Sequence, residues 1–168
     1  CLRNDLRVFE FAGAARSFGD GGVTIRDIRL MDASGSDQLS WVVGGERVLI
    51  RIDLCAHVAL SSIIVGFFVK DRLGQVLFGD NTFLVYEGNP FRVAAGECVV
   101  AEFGFRMPIL PQGTYAIDVA VADGNADDHV QHQWIHDALI IESHSSSVST
   151  GLVGIPFEII SLQRVTQD

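Results

Sequence analysis

The chain is 168 residues long, 48% hydrophobic and 20% charged, with 21 acidic against 12 basic residues and a formal net charge of −9. That length and apolar content suffice for one compact domain with its own core, while scattered basic residues under a net negative charge argue against a surface for phosphate backbones or anionic lipid. No apolar stretch approaches the roughly 20 residues that cross a bilayer as a helix.

No positively charged leader opens the chain, and its start at Cys1 rather than Met reads as the edge of a piece of something longer. Cys1, Cys55 and Cys98 are odd in number, and the last two sit in apolar, strand-like runs. They read as buried reduced thiols of a reducing compartment, with a single Cys55–Cys98 bridge between sheets as the alternative.

In chain order, residues 1–20 carry Leu6, Val8, Phe9, Phe11 and Phe18 without sustained periodicity and read as an arm or linker end, closed by Gly19-Asp20-Gly21-Gly22. Val23 to Met31 alternates apolar and charged residues, with a phase slip between Ile25 and Ile28 that predicts a β-bulge. Arg47 to Leu54 alternates without a break and predicts a strand burying Val48, Ile50, Ile52 and Leu54. Two β-prone runs joined by Lys70-Asp71-Arg72-Leu73-Gly74 predict a hairpin over Val65–Thr82, on which the other strands are organised. Phe83 to Pro90 reads as a loop or irregular strand.

Val99 to Met107 alternates again, with Ala101, Phe103, Phe105 and Met107 on one side, until Pro108 and Pro111 stop it. Thr114 to Ala122 predicts a strand with Tyr115, Ile117, Val119 and Val121 on one face. Its other face, three alanines with Asp118, suits the close approach of a flat partner or a covering arm. Asp123 to Asp128 reads as a turn, His129 to His136 as a polar-aromatic stretch and Ala138 to Ile141 as a strand. Ser143 to Thr150 is low in complexity, and Ile155 to Leu162 reads as a last strand.

About eight short strands at roughly ten-residue spacing, with no segment of 3.6 periodicity, predict an all-β immunoglobulin-like antiparallel β-sandwich, a barrel or jelly roll staying open. The expected layout is an arm over 1–20, the sandwich over 21–145, and a flexible segment with a terminal strand over 146–168. Such a strand pairs equally well with its own sheet edge or a partner's, so it is open to exchange in a symmetric dimer.

The candidate binding residues are Phe68, Asp80, Asn81, Asp118, His132 and Trp134. Aromatic faces accept the C–H faces of a pyranose, and planar carboxylate and amide groups accept or donate to its hydroxyls. Beside this stands the plainer reading that Asp80 and Asn81 only make Asx turns. A helical His129, His132 and His136 would share a face for a metal, but no Cys pair or HExxH pattern supports that reading. No G-x-S-x-G and no P-loop occurs, so nucleophilic catalysis finds no support and no catalytic residue or cofactor is singled out in this domain, while carboxylate pairs for glycoside cleavage stay open among its many Asp and Glu residues.

The ordered motifs FGDGGVTIRDIRLMD, GGERVLIRIDL, VGFFVKDRLGQVLFGDNT, AGECVVAEFGFRMPILPQGTYAIDVAVADG and HQWIHDALIIE together resemble the C-terminal domain of Wzt over about residues 16 to 162. Wzt is the nucleotide-binding subunit of ABC transporters that export O-antigen polysaccharide. The resemblance implies a non-catalytic, dimeric carbohydrate-binding domain with an immunoglobulin-like fold at the cytoplasmic face of the inner membrane. Its implied partners are the O-polysaccharide, read through its non-reducing end, an ATPase domain preceding Cys1 that would hold ATP and Mg, and the transmembrane subunit. No nucleic acid is implied. The alternative is a dimerisation domain that binds no glycan itself.

Overall fold

A computed structural model describes residues 21–124, 129–145, 151–155 and 162. The predicted arm and most of the predicted terminal strand lie outside the described residues. The strands are β1 (Val23–Asp32), β2 (Trp41–Val42), β3 (Arg47–Ala56), β4 (Ile63–Lys70), β5 (Val76–Asn81), β6 (Cys98–Arg106), β7 (Gly113–Gly124) and β8 (His129–Ser143), with a short helix α1 (Phe83–Tyr86).

They form two sheets, a three-stranded one in the order β1-β3-β6 and a five-stranded one in the order β2-β8-β7-β4-β5. Neighbours are antiparallel except for β2, which runs parallel to β8. The period-2 patterns set which faces meet. Val48, Ile50, Ile52 and Leu54 of β3 are 0–2% exposed and pack toward Val65, Phe67 and Val69 of β4 and Ile117, Val119 and Val121 of β7. Each such side chain contributes about 1.5–3 kcal/mol by leaving water. The Tyr115 hydroxyl donates to the Pro111 carbonyl at 2.7 Å, pinning the entry of β7 in the manner of a tyrosine corner.

The bulge expected near Ile25 is present, between Ile25 and Asp27. The hairpin also forms, from β4 and β5. Its partner pairing makes Gly79 obligatory: a Cβ there would run into the Phe67 carbonyl oxygen and lie 2.9 Å from Phe68 Cδ1. Gly79→Ala is therefore expected to cost about 1–3 kcal/mol in urea denaturation, by overpacking between paired strands. An unchanged midpoint would contradict this packing.

Three expectations change. Phe83 to Tyr86 is a turn of helix, not a loop or strand. His129 to Ser143 is one continuous long strand rather than a polar stretch followed by a short strand. Cys55 and Cys98 are disulfide-bonded rather than buried reduced thiols, and they stand directly opposite each other on adjacent strands of one sheet instead of bridging the two. They are the end pair of the β3–β6 ladder, where register brings their Cβ atoms together.

Candidate functional site

The outer face of the five-stranded sheet carries Phe68, Asp118 and Trp134, and the structure closes it. Phe68 stacks on Trp134 with ring centroids 5.7 Å apart. Trp134 packs with Ile64, Phe83, Ala120 and Ala122 as a second small core, so the alanines of β7 make room for these rings and for α1. At 8% exposure Trp134 lacks the open face that stacking against a sugar requires. His132, likewise 8% exposed, lies close against Gly22.

Asp118 is 3% exposed and serves the backbone. Between Ile117 and Val119 of β7 stands this single residue, while between their partners Leu139 and Ile135 on β8 stand His136, Asp137 and Ala138. This large bulge interrupts the ladder, and Asp118 fills the gap. Its carboxylate accepts from the Asp137 N–H at 2.8 Å and from His136 Nδ1 at 2.9 Å, and it pairs with Lys70 Nζ at 2.8 Å. Asp137 takes the left-handed backbone needed to turn the strand, with φ 52°, and its own carboxylate lies 3.1 Å from Lys70.

Burial pushes the Asp118 carboxyl up, but the hydrogen bonds from Lys70, the Asp137 amide and His136 outweigh it and hold the group below the usual carboxylate range. Burial likewise disfavours the Lys70 ammonium, and its two carboxylate partners outweigh that and raise its pKa.

Asp80 and Asn81 stand elsewhere, on the edge strand β5. They line a cleft of about 220 Å³ between the β5 edge of one sheet and the β6 edge of the other. Ile63 and Val65 form its inner wall, Val99, Ala101 and Phe103 its β6 side, and Tyr86 and Phe91 its end. Tyr86 and Phe91 meet edge to face at 5.6 Å and are 37% and 42% exposed.

The polar groups at the rim are held by local bonds. Asn81 Oδ1 accepts from the Phe83 N–H at 2.9 Å and Asp80 Oδ1 from the Asn81 N–H at 2.8 Å, while Thr82 Oγ1 accepts from the Val65 N–H at 3.0 Å. The Asx-turn role and a place in the cleft thus coexist. Glu102 reaches the same cleft from β6, 3.7 Å from Arg51.

Sequence reasoning missed Tyr86, Phe91, Glu102 and Phe103. The signal for Glu102 and Phe103 was the β6 alternation, which assigns faces but not which sheet edge stays open. For Tyr86 and Phe91 the sequence held only aromatic residues flanking Gly88-Asn89-Pro90. Among the described residues no group of three His, Cys, Asp or Glu side chains is placed to hold a metal, and no helix is long and apolar enough to cross a membrane.

Fold and cleft together define an immunoglobulin-like β-sandwich domain with a cleft between opposed sheet edges. The model of the Wzt C-terminal domain family matches residues 14–155, and the chain belongs to that family. Membership supports a role in the O-antigen ABC transporter and a non-catalytic domain. The fold agrees: a crystal structure of the C-terminal domain of Wzt superposes with a TM-score of 0.76 at 23% identity, covering 87% of each chain.

Two further solved structures are much more distant. A CARDB domain from Pyrococcus furiosus in complex with di-metal ions gives a TM-score of 0.40 at 10% identity, over 70% of this chain and 87% of that one. A Niemann-Pick type C2 protein from the Japanese carpenter ant gives 0.48 at 11% identity, over 82% and 99%. No functionally curated protein matches the chain.

Proposed function

We propose that this domain recognises the O-polysaccharide for its transporter without catalysis, and that the cleft between β5 and β6 holds the glycan. The observation that carries the reading is the cleft's chemistry in a chain of this family: aromatic and aliphatic walls with carboxylate, amide and hydroxyl groups at the rim. Apolar walls take the C–H faces of a sugar ring, and the rim exchanges hydrogen bonds with its hydroxyls. Each such exchange against water gains little, so one site binds weakly, and a dimer presenting two sites gains by avidity. The domain itself takes no cofactor in this reading. ATP and Mg belong to an ATPase domain, at the cytoplasmic face of the inner membrane, alongside the transmembrane subunit.

The test is titration of the domain with purified O-polysaccharides of its own and of unrelated serotypes, with non-reducing termini intact and removed. Saturable binding to its own glycan is expected. Tyr86→Ala, exposed and outside the main core, should weaken it about three- to tenfold, the worth of one aromatic contact. Equal affinity in that variant, with binding retained, would remove the cleft as the site.

A second reading, a dimerisation domain that binds no glycan, is favoured by a specific observation. Gly154 and Ile109 exchange backbone hydrogen bonds of 2.7 and 2.8 Å, so Gly154 lies beside the segment that follows β6, and among the described residues no strand pairs with the outer edge of β6. In this reading the apolar sequence over 155–162 adds a strand to a second copy. A chain ending at Ser149 should become monomeric in sedimentation. A dimer that persists without those residues would rule out strand exchange.

A further inference from the structure

The cleft is longer than a single sugar. A second cavity of about 470 Å³ continues it and shares Asp80, Glu102 and Phe103 with it. Their common wall is β6. Val99, Ala101, Phe103 and Phe105 face inward but stay only half-buried, because among the described residues β6 has no neighbour on that side within its sheet. From Val99 to Arg106 the strand extends about 23 Å at ~3.3 Å per residue.

The chemistry changes along that length. The near end is closed by Tyr86 and Phe91, the middle carries Asp80 and Glu102, and the far end is lined by Phe78, Phe105 and Arg106. One guanidinium nitrogen of Arg106, Nη1, donates to the Gly45 carbonyl at 3.2 Å, which leaves its other N–H groups to a ligand. A ring resting on Tyr86 is too short to reach Arg106.

The geometry points to a ligand that is an extended run of several sugar residues lying along β6, with Tyr86 and Arg106 reading different residues of the run. This rests on the glycan reading above and deepens it: the domain measures a stretch of polymer rather than a lone terminal sugar. The order of aromatic wall, carboxylates and guanidinium along one strand makes the far end a place to discriminate between polymers that share a terminus. Guanidinium forks suit vicinal hydroxyls or carboxylates of a sugar, as acceptors.

The experiment titrates the domain with size-fractionated oligosaccharides prepared from its O-polysaccharide, from the monosaccharide upward. Affinity is expected to rise about two- to tenfold for each added residue, the worth of one or two net hydrogen bonds or ring contacts, and to level off once the run spans β6. Tyr86→Ala should weaken every length alike. Arg106→Ala, on an exposed side chain, should leave the shortest fractions unchanged and weaken only those long enough to arrive there.

Full affinity already at the monosaccharide or disaccharide, or an Arg106→Ala effect independent of length, would overturn this inference while leaving a glycan site in place. No binding at any length, by a domain with an unchanged melting curve, would overturn the glycan reading and this inference together.

Discussion

Replacing Asp118 by Ala is expected to cost the domain about 3–5 kcal/mol, the penalty of removing one partner from a buried ion pair. The loss has two parts. Lys70, the sole lysine of the chain and 14% exposed in its side chain, keeps its charge without its closest partner. The Asp137 amide and the His136 ring lose the acceptor that closes the β8 bulge. Asp137→Asn keeps a residue that tolerates the left-handed backbone and removes only a carboxylate that is 62% exposed, so its cost should stay within about 1 kcal/mol. Urea midpoints of the two variants decide this: similar costs would mean that Asp118 is not the centre of the network. Lys70→Met combined with Asp118→Ala should cost less than the sum of the single changes, since each alone strands a charge.

The same network fixes a pH dependence whose sign follows from the directions of the two shifts. The folded Asp118 carboxyl lies below its unfolded value, so its contribution is present above the ordinary carboxylate range and is lost as pH falls through the folded pKa. Lys70 is raised, so its contribution is present below the ordinary lysine pKa of about 10.4 and is lost as pH rises through the raised one. Asp118→Asn should therefore show a flatter acid limb than the parent in melting temperature against pH. Parallel limbs would assign the acid sensitivity to other carboxylates.

The legible parts of the fold were those written as periodicity. β3 buries the four residues its alternation names, β1 bulges where its phase slips, and β4 and β5 pair across the polar turn. What stayed hidden depends on contacts remote in sequence. The alanines of β7 signalled a close partner, and that partner is the chain's own Trp134, Phe68 and Phe83. Asp118 looked like a lone surface carboxylate because nothing local announces that β8 bulges around it. Of the six candidate residues, Asp80 and Asn81 line the open cleft, whereas Phe68, Asp118, His132 and Trp134 are spent on internal packing and hydrogen bonding. An exposed aromatic and a buried one read alike in a polar stretch, because exposure is decided by which strands end up at the edges. Cys55 and Cys98 illustrate the same limit: their pairing follows from the β3–β6 register, which neither segment encodes alone.

Phe67→Ala and Phe103→Ala should separate the stability of the sandwich from the work of its cleft. Phe67 is 3% exposed and touches three other rings, edge-on to Phe78 and Phe103 at 6.4 and 5.0 Å and stacked on Phe105 at 5.9 Å. Truncating it leaves a cavity that a four-ring cluster cannot collapse into without breaking the alternation of β6, so the expected loss is about 3–5 kcal/mol. Phe103 is half-buried, already borders the open cleft, and loses less apolar burial when cut back, about 1–2 kcal/mol. It stands at the junction of the two cavities, however, so its loss should weaken binding to glycan fragments long enough to cross that junction. Urea midpoints and titrations on the folded variants read the two quantities separately. A Phe103→Ala domain that is as destabilised as Phe67→Ala yet binds like the parent would make β6 a purely structural wall.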